Sequence, residues 1–150
     1  MRTFENIGEL AVAVGTQLGS SGWHTVTQDE IDAFAAATGD HQWIHVDPLR
    51  AAQGPFGTTV AHGYLTLSLV PYLTSQVYRV DGVRIAVNYG ADKLRFPAPV
   101  AVESRVRAAV ELLSVVQATN GYRVTTRVSV EREGSEKPGC VVDLVALMVP

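Results

Sequence analysis

Gly63 to Val77 reads GYLTLSLVPYLTSQV, and this stretch decides the fold class. It is apolar nearly all round, which marks a helix buried on most sides rather than one lying on a surface. Pro71 stands inside it and predicts a kink, because its ring removes an amide donor and crowds the preceding turn. After the turn signal Asp81-Gly82 come four stretches rich in Val, Ile, Thr and Tyr, at about 84–96, 100–116, 119–132 and 139–149. Asn120-Gly121, Gly134 and Pro138 supply breaks or bulges between or within them. One long buried helix beside several consecutive long strands predicts an α+β architecture, an antiparallel sheet packed on the helix.

Upstream of that helix, Thr27 with Glu30 three residues later is a capping-box signature. Ile31, Phe34 and Ala35 then follow at helical spacing until Gly39 offers a C-terminal stop. From Gln42 to Gly57, Pro48, Gly54, Pro55 and Gly57 interrupt any regular pattern, so this is an extended loop with room for one helical turn.

The composition narrows the function classes. A chain of 150 residues with 47% hydrophobic and 18% charged residues is ordinary globular composition and fits one domain over 1–150. The single cysteine, Cys140, has no internal disulfide partner, which makes a reducing, cytoplasmic setting the default. MRTFENIGEL lacks the basic start and apolar stretch of a signal peptide, and no apolar run approaches membrane-spanning length. A formal net charge of −3 with scattered Lys and Arg gives no basic face for nucleic acid. An anionic ligand would have to be met by a few local cations.

The chemistry is concentrated in TGDHQWIHVDP, Thr38 to Pro48, which sets an acid and a histidine five residues apart just past a helix stop. On a continuous helix that spacing would hold Asp40 and His45 about 140° apart. In a loop turning after Gly39 they can converge on one water, take a proton from it and steer the nucleophile. The second informative stretch is TTVAHGYLTLSL, where His62 and Gly63 stand at the mouth of the buried helix. Free backbone N–H groups there suit negative charge, and a glycine lets a ligand approach its N–H closely.

Other features read more plainly. His41 and His45 are four apart, a metal-binding spacing on a helix with His62 or Asp47 as further ligands, but Gly39 argues against that helix and no third ligand is fixed, so no metal is expected. Lys93 and Arg95 fall on one side of a predicted strand, with Leu94 and Phe96 on the other. They are a solvated face, or cations for a phosphate-bearing substrate. Asn88, Tyr89 and Gly90 read as packing around a bulge. No G-x-S-x-G elbow and no Gly-rich phosphate loop after a strand occurs.

FAAATGDHQWIHVDP, then AHGYLTLSLVP, then NYGADKLRFPAPV resemble, in order and spacing, the MaoC-like (R)-specific enoyl-CoA hydratases of the hot-dog fold, over roughly Phe34 to Val100. The resemblance implies a long central helix wrapped by an antiparallel sheet, a homodimer, and hydration of trans-2-enoyl-CoA without metal or redox cofactor, coenzyme A being part of the substrate. Carried over, Asp40 is the general base on water, His45 binds and polarises the same water, and the Gly63 N–H holds the thioester oxygen. Trp43, His62, Tyr64, Lys93 and Arg95 are candidate substrate contacts, with His62 also a structural partner orienting the loop. Dimerisation is physically reasonable for an open sheet edge beside so apolar a helix.

This sequence departs from the family pattern where Asn-Pro commonly stands: Gln42-Trp43 keeps the spacing and loses the rigidity of proline. Two other functions remain open on the same scaffold: an acyl-CoA thioesterase, which directs water at the thioester carbonyl, and a non-catalytic acyl-CoA-binding module.

Overall fold

Thr27 and Glu30 start the first long helix as their spacing predicts: Thr27 Oγ1 accepts from the Glu30 N–H at 3.3 Å and the Thr27 N–H donates to Glu30 Oε2 at 2.9 Å. The computed structural model describes residues 1–150. In chain order its elements are β1 (Arg2–Phe4), α1 (Ile7–Val12), β2 (Gln17–Ser20), β3 (His24–Thr25), α2 (Gln28–Thr38), α3 (Trp43–Val46), α4 (Pro48–Ala52), α5 (Gly63–Ser68), α6 (Val70–Thr74), β4 (Tyr78–Val80), β5 (Ile85–Arg95), β6 (Arg105–Ala118), β7 (Gly121–Arg132) and β8 (Cys140–Val149). Gly39 ends α2 in the left-handed conformation, φ 80°, and its N–H closes on the Ala35 carbonyl.

The main sheet runs β2-β6-β7-β8-β5, with β3 also paired to β6, and every pairing in it is antiparallel. Residues of period two line its inner face: Ala108 lies opposite Val130, Val110 opposite Val128 and Leu112 opposite Thr126, all buried. The helix α5–α6 packs on that face through Leu65, Val70 and Leu73, which share one core with Val106, Val110 and Val142. Each such side chain taken from water stabilises the fold by roughly 1.5–3 kcal/mol. Pro71 has the predicted effect: α5 ends at Ser68, α6 begins at Val70, and Leu69 joins them. A helix laid across an antiparallel sheet in this order is the hot-dog arrangement that the resemblance implies.

The differences from expectation are local. β6 begins at Arg105, not near 100: Ala101 makes a single bridge to Val60, and Glu103 takes φ 63°, outside the range of a regular strand. The loop expected over 42–57 contains two short helices, α3 and α4, the second capped by Asp47 Oδ1 accepting from the Arg50 N–H at 3.0 Å. No helix is long and apolar enough to cross a membrane.

Candidate active site

Asp40 follows the Gly39 stop and His45 is the third residue of α3, so the reversal between two helices turns both toward one place. An oxygen of Asp40, a nitrogen of His45 and a nitrogen of His62 lie within 4.8 Å of one another. A gap of that width is the right size for one water with a hydrogen bond at each end. Asp40 is exposed, while His45 is 7% exposed.

His45 is held from several sides. Its Nδ1–H donates to the Val60 carbonyl at 2.7 Å, which leaves Nε2 with a lone pair to meet a water proton. The Val60 N–H donates back to the Ile44 carbonyl at 3.0 Å. Gln28 Nε2–H donates to the His45 carbonyl at 2.8 Å, and Thr59 Oγ1–H donates to Gln28 Oε1 at 2.6 Å. Burial holds the His45 imidazole below its ordinary range. The Val60 hydrogen bond opposes this, nearby His62 adds to the lowering, and Asp40 acts against it. Gln28 and Thr59 carry no motif; nothing in their local sequence marks them as supports of this loop.

His62, a candidate substrate contact in the sequence, is 2% exposed and packs against the dyad. The other role expected of it, orienting the loop, fits its bond to the Asp40 carbonyl at 2.9 Å. Its ring stacks on that of His45 with centroids 3.8 Å apart and planes 25° apart. In a near-parallel stack the in-plane lone pairs run side by side instead of converging. Asp40, His45 and His62 therefore form a better proton site than ion site. His41 is exposed and stands outside any helix.

Gly63 opens α5 beside the dyad, with the unpaired first-turn amides that any helix start provides. What requires glycine here is Phe96: a Cβ at position 63 would meet its ring at 2.9–3.1 Å. Tyr64 is 66% exposed and meets Phe96 edge-on at 6.0 Å. Gly63, Thr66, Ala61, Phe56 and Phe96 line a cleft of about 270 Å³. A further apolar cleft of about 390 Å³ lies at the far end of the helix among Pro71, Tyr78, Val83, Ala86 and Met148, and neither cleft is lined by a dyad residue.

Three other candidates, Trp43, Lys93 and Arg95, find partners within the chain. Trp43 packs within its own loop: its ring fills the space beside Gly54, and the Arg50 guanidinium lies 4.5 Å above it. Lys93 takes φ 51° in a bulge between Asp92 and Arg95, and its Nζ sits 3.9 Å from Asp143. Asp143 is on the sheet face away from the helix, gripped by Arg127 Nε at 2.7 Å and Nη2 at 2.9 Å. The Arg127 bond holds its carboxyl below the usual range. Arg95 pairs with Val141 on that same face, exposed, its guanidinium reaching back to the Lys93 carbonyl. The two cations belong to an outer charge cluster, and the bulge, not strand alternation, puts them there.

The family described as MaoC like domain matches residues 9–134. The 3-hydroxyacyl-thioester dehydratase Z of Mycobacterium tuberculosis is 56% identical over 150 residues, covering 99% of each chain. The (R)-specific enoyl-CoA hydratase of Aeromonas caviae is 33% identical over 99 residues, 66% of this chain and 71% of that protein. The solved structure of an A. caviae (R)-hydratase involved in PHA biosynthesis superposes with TM-score 0.73 at 26% identity, covering 91% of this chain and 96% of that one. Fold, site and relatives together define a hydro-lyase of the hot-dog fold. The chain belongs to the MaoC-like domain family and is a dehydratase/hydratase of that kind.

Proposed function

We propose that this protein is an (R)-specific enoyl-CoA hydratase, adding water to trans-2-enoyl-CoA to give (R)-3-hydroxyacyl-CoA and catalysing the reverse dehydration. The observation that carries this reading is the approach of the Asp40 carboxylate to the His45 ring, beside the Gly63 helix mouth. Water bound between them donates one hydrogen to His45 Nε2 and the other to Asp40. Asp40 takes its proton as the water oxygen bonds to C3. The C2=C3 electron pair moves toward the thioester oxygen, which accepts from the Gly63 N–H. Asp40 then returns that proton to C2, so one water supplies both the hydroxyl at C3 and the hydrogen at C2. The step calls on no metal or redox group.

We place the working unit as a homodimer of 1–150 chains. β5 is an edge strand of eleven residues, nearly all exposed, with Ile85, Val87 and Tyr89 uncovered, and Tyr64 and Tyr72 on the helix are uncovered as well. Sedimentation at micromolar concentration is expected to give a dimer; a monomer alone overturns this.

The deciding experiment follows the enoyl absorbance of crotonyl-CoA and longer trans-2-enoyl-CoA substrates, with chiral analysis of the product and a thiol reagent present. Loss of absorbance to an (R)-3-hydroxy product without free thiol is expected. Thiol release makes the protein a thioesterase, and ligand-induced thermal stabilisation without turnover makes it a binding module.

A further inference from the structure

His62 touches both members of the dyad, and the proposed reaction gives it no step. Its Nε2–H donates to the main-chain carbonyl of Asp40 at 2.9 Å. One side of its ring stacks on His45 at 3.8 Å, and the Phe34 ring leans against it at 4.9 Å. Its Nδ1 is buried without a hydrogen-bond partner. An unsatisfied buried nitrogen costs about 1–3 kcal/mol, a penalty that a leucine or phenylalanine filling the same space would avoid. An imidazole kept here despite that cost is explained by what its other nitrogen and its ring plane do.

We propose that His62 is the positioning residue of the dyad: Nε2 fixes the backbone of Asp40 while the ring face sets the tilt of His45, so that both point at one water. The reasoning is mechanical. Asp40 trails α2 and His45 belongs to α3, with only His41 and Gln42 between Asp40 and the start of α3. His62 comes from a third element, immediately before Gly63. Base, water-binding imidazole and thioester-holding amide are thereby referenced to a single side chain, and misplacement of reacting groups by about 1 Å can cost about 100-fold in rate. The stack also has an electrostatic side. The titratable groups acting on His45 are His62, which lowers its proton affinity, and Asp40, which raises it.

The inference rests on the hydratase reading and is tested with two variants that divide the functions of the ring. His62→Phe retains the stack and loses the donor; His62→Asn retains a donor and loses the stack. Each is expected to lower kcat for enoyl-CoA hydration about 10- to 100-fold with KM within about 2-fold. The acid limb of the pH profile of kcat/KM is expected to move to higher pH in both, because the neighbour that depresses His45 is gone. Wild-type kcat in both variants, or a loss that follows melting temperature with an unmoved limb, overturns the proposal. If either variant fails to fold, ring ¹⁵N NMR of the intact protein decides: His62 must carry its proton on Nε2, coupled to the Asp40 carbonyl, and an Nδ1–H tautomer overturns it. Absence of hydration by the wild-type protein would defeat the hydratase reading instead, and the NMR result would still stand on its own.

Discussion

The loop carrying the dyad and the strands β6 to β8 are held together in opposite ways. In the sheet, main-chain ladders run the length of the strands, and valines at alternate positions close the inner face. Around the dyad, side chains hold main chain: Gln28 on the His45 carbonyl, His45 on the Val60 carbonyl, His62 on the Asp40 carbonyl. The first kind of bonding tolerates many apolar residues of the right size. The second does not, because each bond needs one donor at one place. Replacements in the sheet should therefore lower stability and spare the rate of the folded molecule, while replacements in the loop should do the reverse.

Asp40→Asn is the strongest attempt to break this contrast. The carboxylate is exposed and its bond from the Gln42 N–H is long, 3.4 Å, so melting temperature should stay near wild type while kcat falls about 10²–10⁴-fold. Turnover close to wild type would remove the loop from the chemistry. Leu112→Ala attacks the other side. Leu112 is fully buried in β6, and its truncation should cost about 2–5 kcal/mol in urea unfolding with kcat/KM per folded molecule unchanged. A loss of specific activity would mean that the sheet transmits to the site.

Gly54→Ala tests the border between the two. The added methyl would stand 2.8 Å from the Trp43 ring, and displacing that ring should cost about 1–3 kcal/mol. Adding Trp43→Ala to the same chain should recover part of that loss in thermal melts; simple additivity of the two changes would show that the ring and the glycine do not compete for space. The smallest effect belongs to Arg107 and Glu131, paired at 2.6 Å with 37% and 38% of their side chains exposed. Replacing either with alanine should shift stability by no more than about 1 kcal/mol, less in high salt, and a larger change would mean that the outer face is more than solvated surface.

What could be read from the sequence follows the same division. The start and stop of α2, the helix from Gly63 and the four long strands all announce themselves through local patterns of several residues, although that helix ends at Thr74 and is buried on one side only, with Tyr64, Ser68 and Tyr72 exposed. Asp40 and His45 were legible because a glycine stop and a five-residue spacing lie in one short stretch. β1 and β4 were not: each has three residues, too few for a period, and each exists only by pairing with the other across most of the first half of the chain. Strand alternation assigned Lys93 and Arg95 to one face without seeing the bulge between Asp92 and Arg95, a backbone event at a lysine with φ 51° that no residue type signals. Residues 100–104 look like strand by composition, yet Glu103 turns the chain there. Trp43 could be placed only with Gly54 and Arg50 in view, since the loop folds its ring inward on them.

The contact between Phe96 and Gly63 also bears on how this chain can change over generations. The phenyl ring occupies the place where any larger residue at 63 would put its first side-chain carbon. A lineage that replaced the glycine alone would force the ring out of the helix mouth; one that shrank the ring alone would leave a hollow there. The two positions are remote in the chain but are coupled by contact. Viable drift at either should appear as a correlated exchange at both, marking the corner of the hot-dog frame where selection acts on a contact instead of on a residue.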